Sequence, residues 1–308
     1  MAFIYNYHRI GKVENKNPFH LLHTIEKEIF IKQIKFMQTM GNIISINELS
    51  NNNLDGNNFI IAFDDVSSSI KEITPFLFDN KIPFVISPCT GITSNGYGIR
   101  DKVYFIIKSI PNADIYDFII KKVDKKITIN KSSFSFYYFS KSSIFDNVFM
   151  EKEIIDPLFN SLGLKGEDLK KYNAYLNWDE IRDIYQKNEL VTITNHSHTH
   201  KNFNNETTDI IENDIKKSKE IFNKEINFEP NLFTVPFGGY TSNLSNKLDI
   251  LLKKYNFKAK VWVKSRNELL AQSKTVPNLF KIHTPNSYIK FIYSFISNRK
   301  AIKNINSL

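Results

Sequence analysis

Apolar and polar positions alternate in blocks along the first ninety residues. "AFIYNYH" is a short apolar run that closes on polar residues and predicts a strand. In "TIEKEIFIKQIKFMQTMGN" the residues Phe30, Ile34 and Met37 recur at helical spacing, and Gly41 stands where a helix stop belongs. "NIISINEL" reads as a strand entering a short helix, and "NNFIIAFDD" as a buried strand ending in two carboxylates. "IKEITPFLFDNKIPFVISP" continues with helix and then strand. Strands alternating with helices predict an α/β fold, with a parallel sheet or barrel.

The rhythm breaks between residues 95 and 175. "KSSFSFYYFSKSS" is aromatic and serine-rich, and "FMEKEIIDPLFNSLGL" reads as helical. This stretch is expected to be an insertion or lid within a single domain spanning residues 1–308. The rhythm then returns. "NWDEIRDIYQKN" predicts a helix with an Asn177/Glu180 capping box. "ELVTITNHSHTH" predicts a strand running into a histidine cluster. A helix over "DIIENDIKKSKEIFNKEI", a strand and turn over "NLFTVPFGGY", and a helix over "NKLDILLKKYNF" follow. "KAKVWV" and "NLFKIH" are expected to be strands. In the C-terminal "SYIKFIYSFISNRKAIKN", Tyr288, Phe291, Ile292, Phe295 and Ile296 fall on one helical stripe ahead of Arg299, Lys300 and Lys303. The stripe predicts a helix docked on the barrel; peripheral contact with an anionic membrane is the alternative.

Composition narrows the class without naming a function. The chain has 308 residues, 42% hydrophobic and 24% charged, as expected of a globular protein with a sizeable core. No basic region followed by an apolar one marks a signal peptide at the N-terminus, and no apolar run reaches ~20 residues, so a cytoplasmic location is expected. The single cysteine, Cys89, rules out an internal disulfide and reads as a small buried hydrophobe. Net charge is +9, which favours anionic partners. With no Lys/Arg block and no nucleic-acid-binding signature, nucleic acid is not expected.

The chemistry concentrates at two places. His196, His198 and His200 are three of seven histidines, within five positions. On a strand all three share a side; on a helix only His196 and His200 do. Either geometry lets His196 and His200 converge on one ion, and neutral imidazole is a favoured zinc ligand. The second place is Asp64–Asp65, past the C-terminal end of an apolar strand, where α/β folds gather their chemistry. Adjacent residues on a strand point in opposite directions, so the two carboxylates suit different tasks.

"FIIAFDD" followed by "NHSHTH" resembles the NodB-homology polysaccharide deacetylases, metal-dependent carbohydrate esterases whose first two motifs are T-F-D-D-G and H-[ST]-x-x-x-H. "YNYHRI", "NWDEIRDI", "FTVPFGGY" (against R-x-P-[FY]-G) and "FKIH" (against L-x-[LI]-H) extend the resemblance over most of the chain. It implies a distorted (β/α) barrel of about seven strands. Asp65, His196 and His200 would bind zinc or another divalent ion such as cobalt, nickel or manganese. Asp64 would be the general base, Phe237 would offer its backbone N–H to the oxyanion, and His283 would be the general acid. His198 would be a passenger, with a three-histidine site as the alternative. His8 is expected at the barrel mouth as a structural hydrogen-bonding residue.

The sequence departs from the family pattern in three ways, one being that no Asp stands between Ala259 and His283 as a partner for the acid histidine. Val66 replaces a Gly, so the turn after the first motif is expected to avoid positive φ. Thr234 replaces the Arg that in the family holds the base aspartate, so Asp64 is expected to be less well oriented. The last strand can also be read with Lys281 at the matching position and His283 as incidental. The expected function is removal of an N-acetyl or other N-acyl group from a sugar. The sugar would be nucleotide- or lipid-linked, a precursor in surface-polysaccharide synthesis. The alternative is an inactive deacetylase-like protein that binds sugar or metal.

Overall fold

A computed structural model describes residues 2–12, 23–50, 55–123, 129–141, 147–186, 188–263 and 278–305. Ten strands are present among them: β1 (Ala2–Tyr7), β2 (Arg9–Ile10), β3 (Thr24–Ile25), β4 (Asn42–Ile43), β5 (Asn58–Asp64), β6 (Phe84–Ser87), β7 (Val191–Ile193), β8 (Leu232–Thr234), β9 (Ala259–Val263) and β10 (Asn278–His283). Seven form one parallel path in the order β7-β6-β5-β1-β10-β9-β8. β4 joins the start of β5, and β2 pairs with β3 separately. Just beyond β7, Asn195 bridges to Phe233 on β8, with Asn195 N–H on Leu232 O (2.9 Å) and Thr234 N–H on Asn195 O (2.8 Å). That bridge draws the two ends of the path together, and the result is the nearly closed (β/α) barrel that the strand–helix alternation predicts.

Period-two alternation sorts the strands' side chains. Ile4, Ile60, Ala62, Val85, Leu232 and Ala259 gather in one cluster inside the barrel. Their neighbours Phe3, Tyr5, Phe59, Ile61, Phe63, Phe84 and Ile86 pack outward against the helices. The same parity carries Asn6, Asp64, Ser87 and Thr234 inward nearer the C-terminal ends of their strands, where the lining turns polar although each is buried. The apolar floor therefore excludes water beneath a polar mouth.

Helix Lys27–Met40 buries Phe30, Ile34 and Met37, as its spacing predicts, and ends at Gly41. The capping box on helix Trp178–Gln186 forms in both directions: Asn177 N–H donates to Glu180 (3.0 Å) and Glu180 N–H to Asn177 (2.9 Å). Cys89 is fully buried, and burial pushes its thiol pKa up. Within residues 95–175, helices Ile99–Ser109, Asn112–Lys122 and Asp156–Asn160 share an apolar cluster that includes Val103, Ile106, Ile119 and Phe159. The segment thus has its own core, joined to the barrel near Cys89 and Ile92.

The C-terminal helix Tyr288–Ile305 docks on the barrel wall. Phe291 lies against Tyr5 (ring centres 4.8 Å apart) and Phe36 (5.8 Å), and Phe295 against Phe3, Phe36 and Phe59. The expected stripe is narrower than its sequence suggests: Ile296 faces outward with Ile289 and Tyr293. Truncating Phe291 leaves a cavity in an aromatic cluster, so Phe291→Ala is expected to cost roughly 3–5 kcal/mol. Tyr293→Ala, on the exposed side, should change stability by less than about 0.5 kcal/mol. Urea unfolding of both variants checks this, and equal losses would contradict the docking.

Candidate metal centre and active site

The histidine segment is neither strand nor helix. β7 stops at Ile193, and residues 196–200 form a tight loop in which Ser197 (φ +71°) and His200 (φ +52°) take left-handed backbone. Four anchors hold it. Asn195 Oδ1 accepts the Ser197 N–H (2.8 Å), and Ser197 Oγ accepts the His200 N–H (3.0 Å). Asp214, on helix Thr208–Ile226, accepts from the N–H groups of His198 (2.7 Å) and Thr199 (2.9 Å). The N–H groups of Thr90 and Gly91 donate to Ser197 O and His198 O. Gly91 is required by proximity, since a Cβ there would lie 2.4 Å from His198 O.

This loop brings the rings of His196 and His200 to 4.9 Å and turns His198 away, where its Nδ1 meets Thr90 Oγ1 at 2.9 Å. The His196 Nδ1–H donates to Thr234 O (2.9 Å), which leaves Nε2 as the free donor atom. That nitrogen lies 3.6 Å from Asp65 Oδ1, and His200 Nε2 lies 3.2 Å from it.

Asp65 and His200 meet the requirements of metal ligands. One ligand atom from each of Asp65, His196 and His200 falls within 4.8 Å of the others. Ligands about 2.1 Å from a shared ion sit roughly 3.4 Å apart in a tetrahedral site, so the spacing fits. Asp65 Oδ1 is buried without a hydrogen-bond partner in the protein, as expected of an atom that awaits a cation. Burial lowers the His200 pKa to about 4, against the pull of Asp65, so its imidazole is neutral near pH 7. Two imidazoles and one carboxylate form a donor set suited to a divalent ion.

Asp64 and Asp65 part company, and a turn separates them in place of the expected strand alternation, because β5 ends at Asp64. Asp64 is the last residue of β5 and points into the barrel, where Lys281 Nζ donates to its Oδ1 at 2.5 Å. Both side chains are almost fully buried. Burial would raise the Asp64 pKa, but the Lys281 ammonium overrides it and holds the carboxyl well below its usual range. The orienting cation is therefore present, on β10 rather than at position 234, which corrects the expectation of a loosely held Asp64. The Thr234 hydroxyl instead joins Ser87 and Thr194 in a buried hydroxyl cluster.

The turn after Asp64 overturns another expectation. Asp65 has φ +58° and Val66 +40°, so the turn enters the left-handed region without glycine. Such backbone is rare for a β-branched residue. Val66 is buried and its carbonyl accepts the Leu176 N–H (3.0 Å), contacts that hold it there. Phe237 is also left-handed (φ +59°), and its ring lies 5.0 Å from that of His200. Gly238 follows at φ +63°, where a Cβ would meet Val263 at 2.3 Å.

These groups open into a cavity of about 460 Å³, the size of a small-ligand site. His8 lines it as expected, stacked on His23 at 4.9 Å. The 95–175 segment contributes Arg100, Tyr104, Lys141 and Tyr175. Their sequence neighbours read as ordinary helix and loop, so nothing in the pattern marks them. The same holds for His23, which meets Tyr137 OH at 3.2 Å. The backbone of His283 pairs in register with Asn6 at the top of β10; its side chain lies outside the described part of the structure.

Comparison with known proteins agrees with this geometry. Residues 164–250 match the family model for polysaccharide deacetylases. No curated protein sequence matches the chain. Among solved structures, the deacetylase PplD of Streptococcus pyogenes is 15% identical with a TM-score of 0.56, over 95% of this chain and 96% of that one. IcaB from Ammonifex degensii is 13% identical (TM-score 0.56, 96% of each chain). A de-N-acetylase from Aggregatibacter actinomycetemcomitans is 12% identical (TM-score 0.56, 96% of this chain and 99% of that one). At these identities the structural likeness speaks for the fold. The matched segment carries His196 and His200, so the chain resembles polysaccharide deacetylases in that segment and shares the fold of these structures over most of its length.

Proposed function

We propose that the protein is a metal-dependent hydrolase that removes an N-acetyl or other N-acyl group from a sugar. One observation carries this reading: the Asp65–His196–His200 cluster and the Lys281-bound Asp64 stand side by side on one cavity at the barrel mouth. An amide resists hydrolysis because its carbonyl is a poor electrophile and neutral water a poor nucleophile. A divalent ion held by Asp65, His196 and His200, zinc or one of similar preference, supplies acyl-oxygen polarisation and a more acidic water. Asp64 then takes the proton of the attacking water. Lys281 occupies its Oδ1, so Oδ2 is the oxygen positioned to accept. The backbone N–H of Phe237 stabilises the oxyanion. The leaving amine needs a proton, and the residue assigned to give it is His283.

The proposed substrate is a small acylated sugar, nucleotide- or lipid-linked, in a surface-polysaccharide pathway. The wall from the 95–175 segment supports a compact ligand over a long polymer. Among the described residues, no helix is long and apolar enough to cross a membrane.

The site separates two kinds of loss. Asp65→Asn, His196→Ala and His200→Ala should each weaken zinc binding by at least 100-fold, whereas His198→Ala should change it little. Asp64→Asn should retain zinc and lose turnover by roughly 10²–10⁴-fold. Zinc titration alongside acyl-release assays reads both effects. Zinc lost with Asp64 and kept without Asp65 would reverse the assignment.

Substrate class is read by comparing nucleotide-linked and lipid-linked N-acetyl sugars with N-acetylglucosamine oligomers. Faster acyl release from the linked sugars is expected. Efficient release from long oligomers alone would contradict the proposed setting.

A further inference from the structure

Beside Asp65, His196 and His200, the cavity wall carries two cations that have no salt-bridged carboxylate among the described residues. Arg100 stands near the start of helix Ile99–Ser109, and Lys141 follows helix Phe136–Phe139. Arg100 is 8% exposed. Its guanidinium carbon lies 5.2 Å from the ring centre of Tyr137, 5.8 Å from Phe237 and 5.9 Å from Tyr104. Its Nη1 donates to Ser140 Oγ at 2.8 Å, while Nη2 is buried with no hydrogen-bond partner. Lys141 Nζ lies 4.0 Å from the same Tyr137 ring centre and is hydrogen-bonded to the Tyr137 hydroxyl. Among the described residues, no carboxylate lies within 4 Å of the charged nitrogens of either.

Two other buried cations show what is missing. Lys260 and Lys281 are fully buried, and each has a carboxylate partner, Asp249 and Asp64. Burying a charge without a partner is costly. Aromatic faces and one hydroxyl offset only part of that cost for Arg100. Burial, together with the Arg100 charge, lowers the Lys141 pKa to about 7. An anion between the two would relieve their repulsion and satisfy the free guanidinium nitrogen. Among the residues that line the cavity, the acids are Asp64, already paired with Lys281, and Asp65 of the metal cluster.

We propose that Arg100 and Lys141 form an anion subsite that binds a phosphate group of the substrate, on the same cavity as the reacting centre. A phosphate fits better than a carboxylate, because two cations call for a group of up to two negative charges with several acceptor oxygens. That the phosphate belongs to an acylated sugar rests on the hydrolase reading above; the subsite itself rests on the paired cations. Both residues come from the 95–175 segment, so the segment would select charged, compact substrates while the barrel performs the reaction.

The test is calorimetric titration of the zinc-loaded full-length protein with inorganic phosphate. Arg100→Gln and Lys141→Gln should each weaken binding by roughly tenfold, and the double variant should weaken it further. Lys141→Arg should bind close to the parent, and thermal melting confirms that each variant is folded. Asp65→Asn separates phosphate on the zinc from phosphate at the subsite, and is expected to leave binding within about twofold. Binding unchanged in the double variant, or lost in Asp65→Asn instead, would overturn the subsite. Acyl release then compares a neutral N-acetyl sugar with its 1-phosphate, nucleoside-diphosphate and lipid-diphosphate forms, and the preferred form identifies the source. If no sugar is hydrolysed but phosphate binding still falls in the double variant, the subsite stands and the proposed reaction fails. If sugars are hydrolysed but the double variant keeps the parent's phosphate affinity, the reaction stands and the subsite fails.

Discussion

The ion pair between Asp64 and Lys281 is the constraint around which the mouth of the barrel is arranged. Neither charge reaches solvent, so each needs the other: losing one partner of a buried pair costs about 3–5 kcal/mol. The pair ties β5 to β10, two strands that β1 separates. It keeps Asp64 ionised inside a closed, largely apolar barrel and fixes which of its oxygens faces the cavity. It also leaves Asp65 as the carboxylate that meets the histidines. Two adjacent aspartates thus acquire different environments from one cation and the turn at a strand end.

Around that pair the backbone is strained where the chemistry gathers. Among the described residues ten non-glycine residues have positive φ, and six of them, His23, Asp65, Val66, Ser197, His200 and Phe237, line the cavity or belong to the turns beside it. Each such residue costs roughly 1–3 kcal/mol and persists only where surrounding contacts impose it. Those contacts are visible. Asp214, Asn195 and the N–H groups of Thr90 and Gly91 clamp the histidine loop, and Thr234 orients His196 through its carbonyl. These contacts converge the candidate ligand atoms of Asp65, His196 and His200.

Much of this was legible in the sequence because it follows from periodicity. The alternation of strand and helix, the spacing of Phe30, Ile34 and Met37, and the Asn177/Glu180 box each reflect local physics that the structure repeats. The candidate metal cluster was legible through spacing and resemblance, although the loop geometry was not: both regular periodicities allowed His196 and His200 to meet, and the chain uses neither. Val66 misled because the preference for glycine is a local tendency, and tertiary contacts override it. Thr234 misled because a buried aspartate needs a cation near it in space, and a strand distant in sequence supplied one. Arg100 and Lys141 carried no signal, since only the fold of the 95–175 segment brings them to the cavity, and His23 carried none because only the pairing of β3 with β2 brings it there.

The claim that binds these observations together is that one ion sits between Asp65, His196 and His200 while Asp64 stays on Lys281. A crystal structure of the zinc-loaded protein, with anomalous scattering measured at the zinc edge, tests it most directly. A single strong peak is expected about 2.0–2.2 Å from one Asp65 oxygen and from Nε2 of both histidines, with the Asp64–Lys281 pair intact. A peak on Asp64 or His198, or no peak at this cluster, would contradict it.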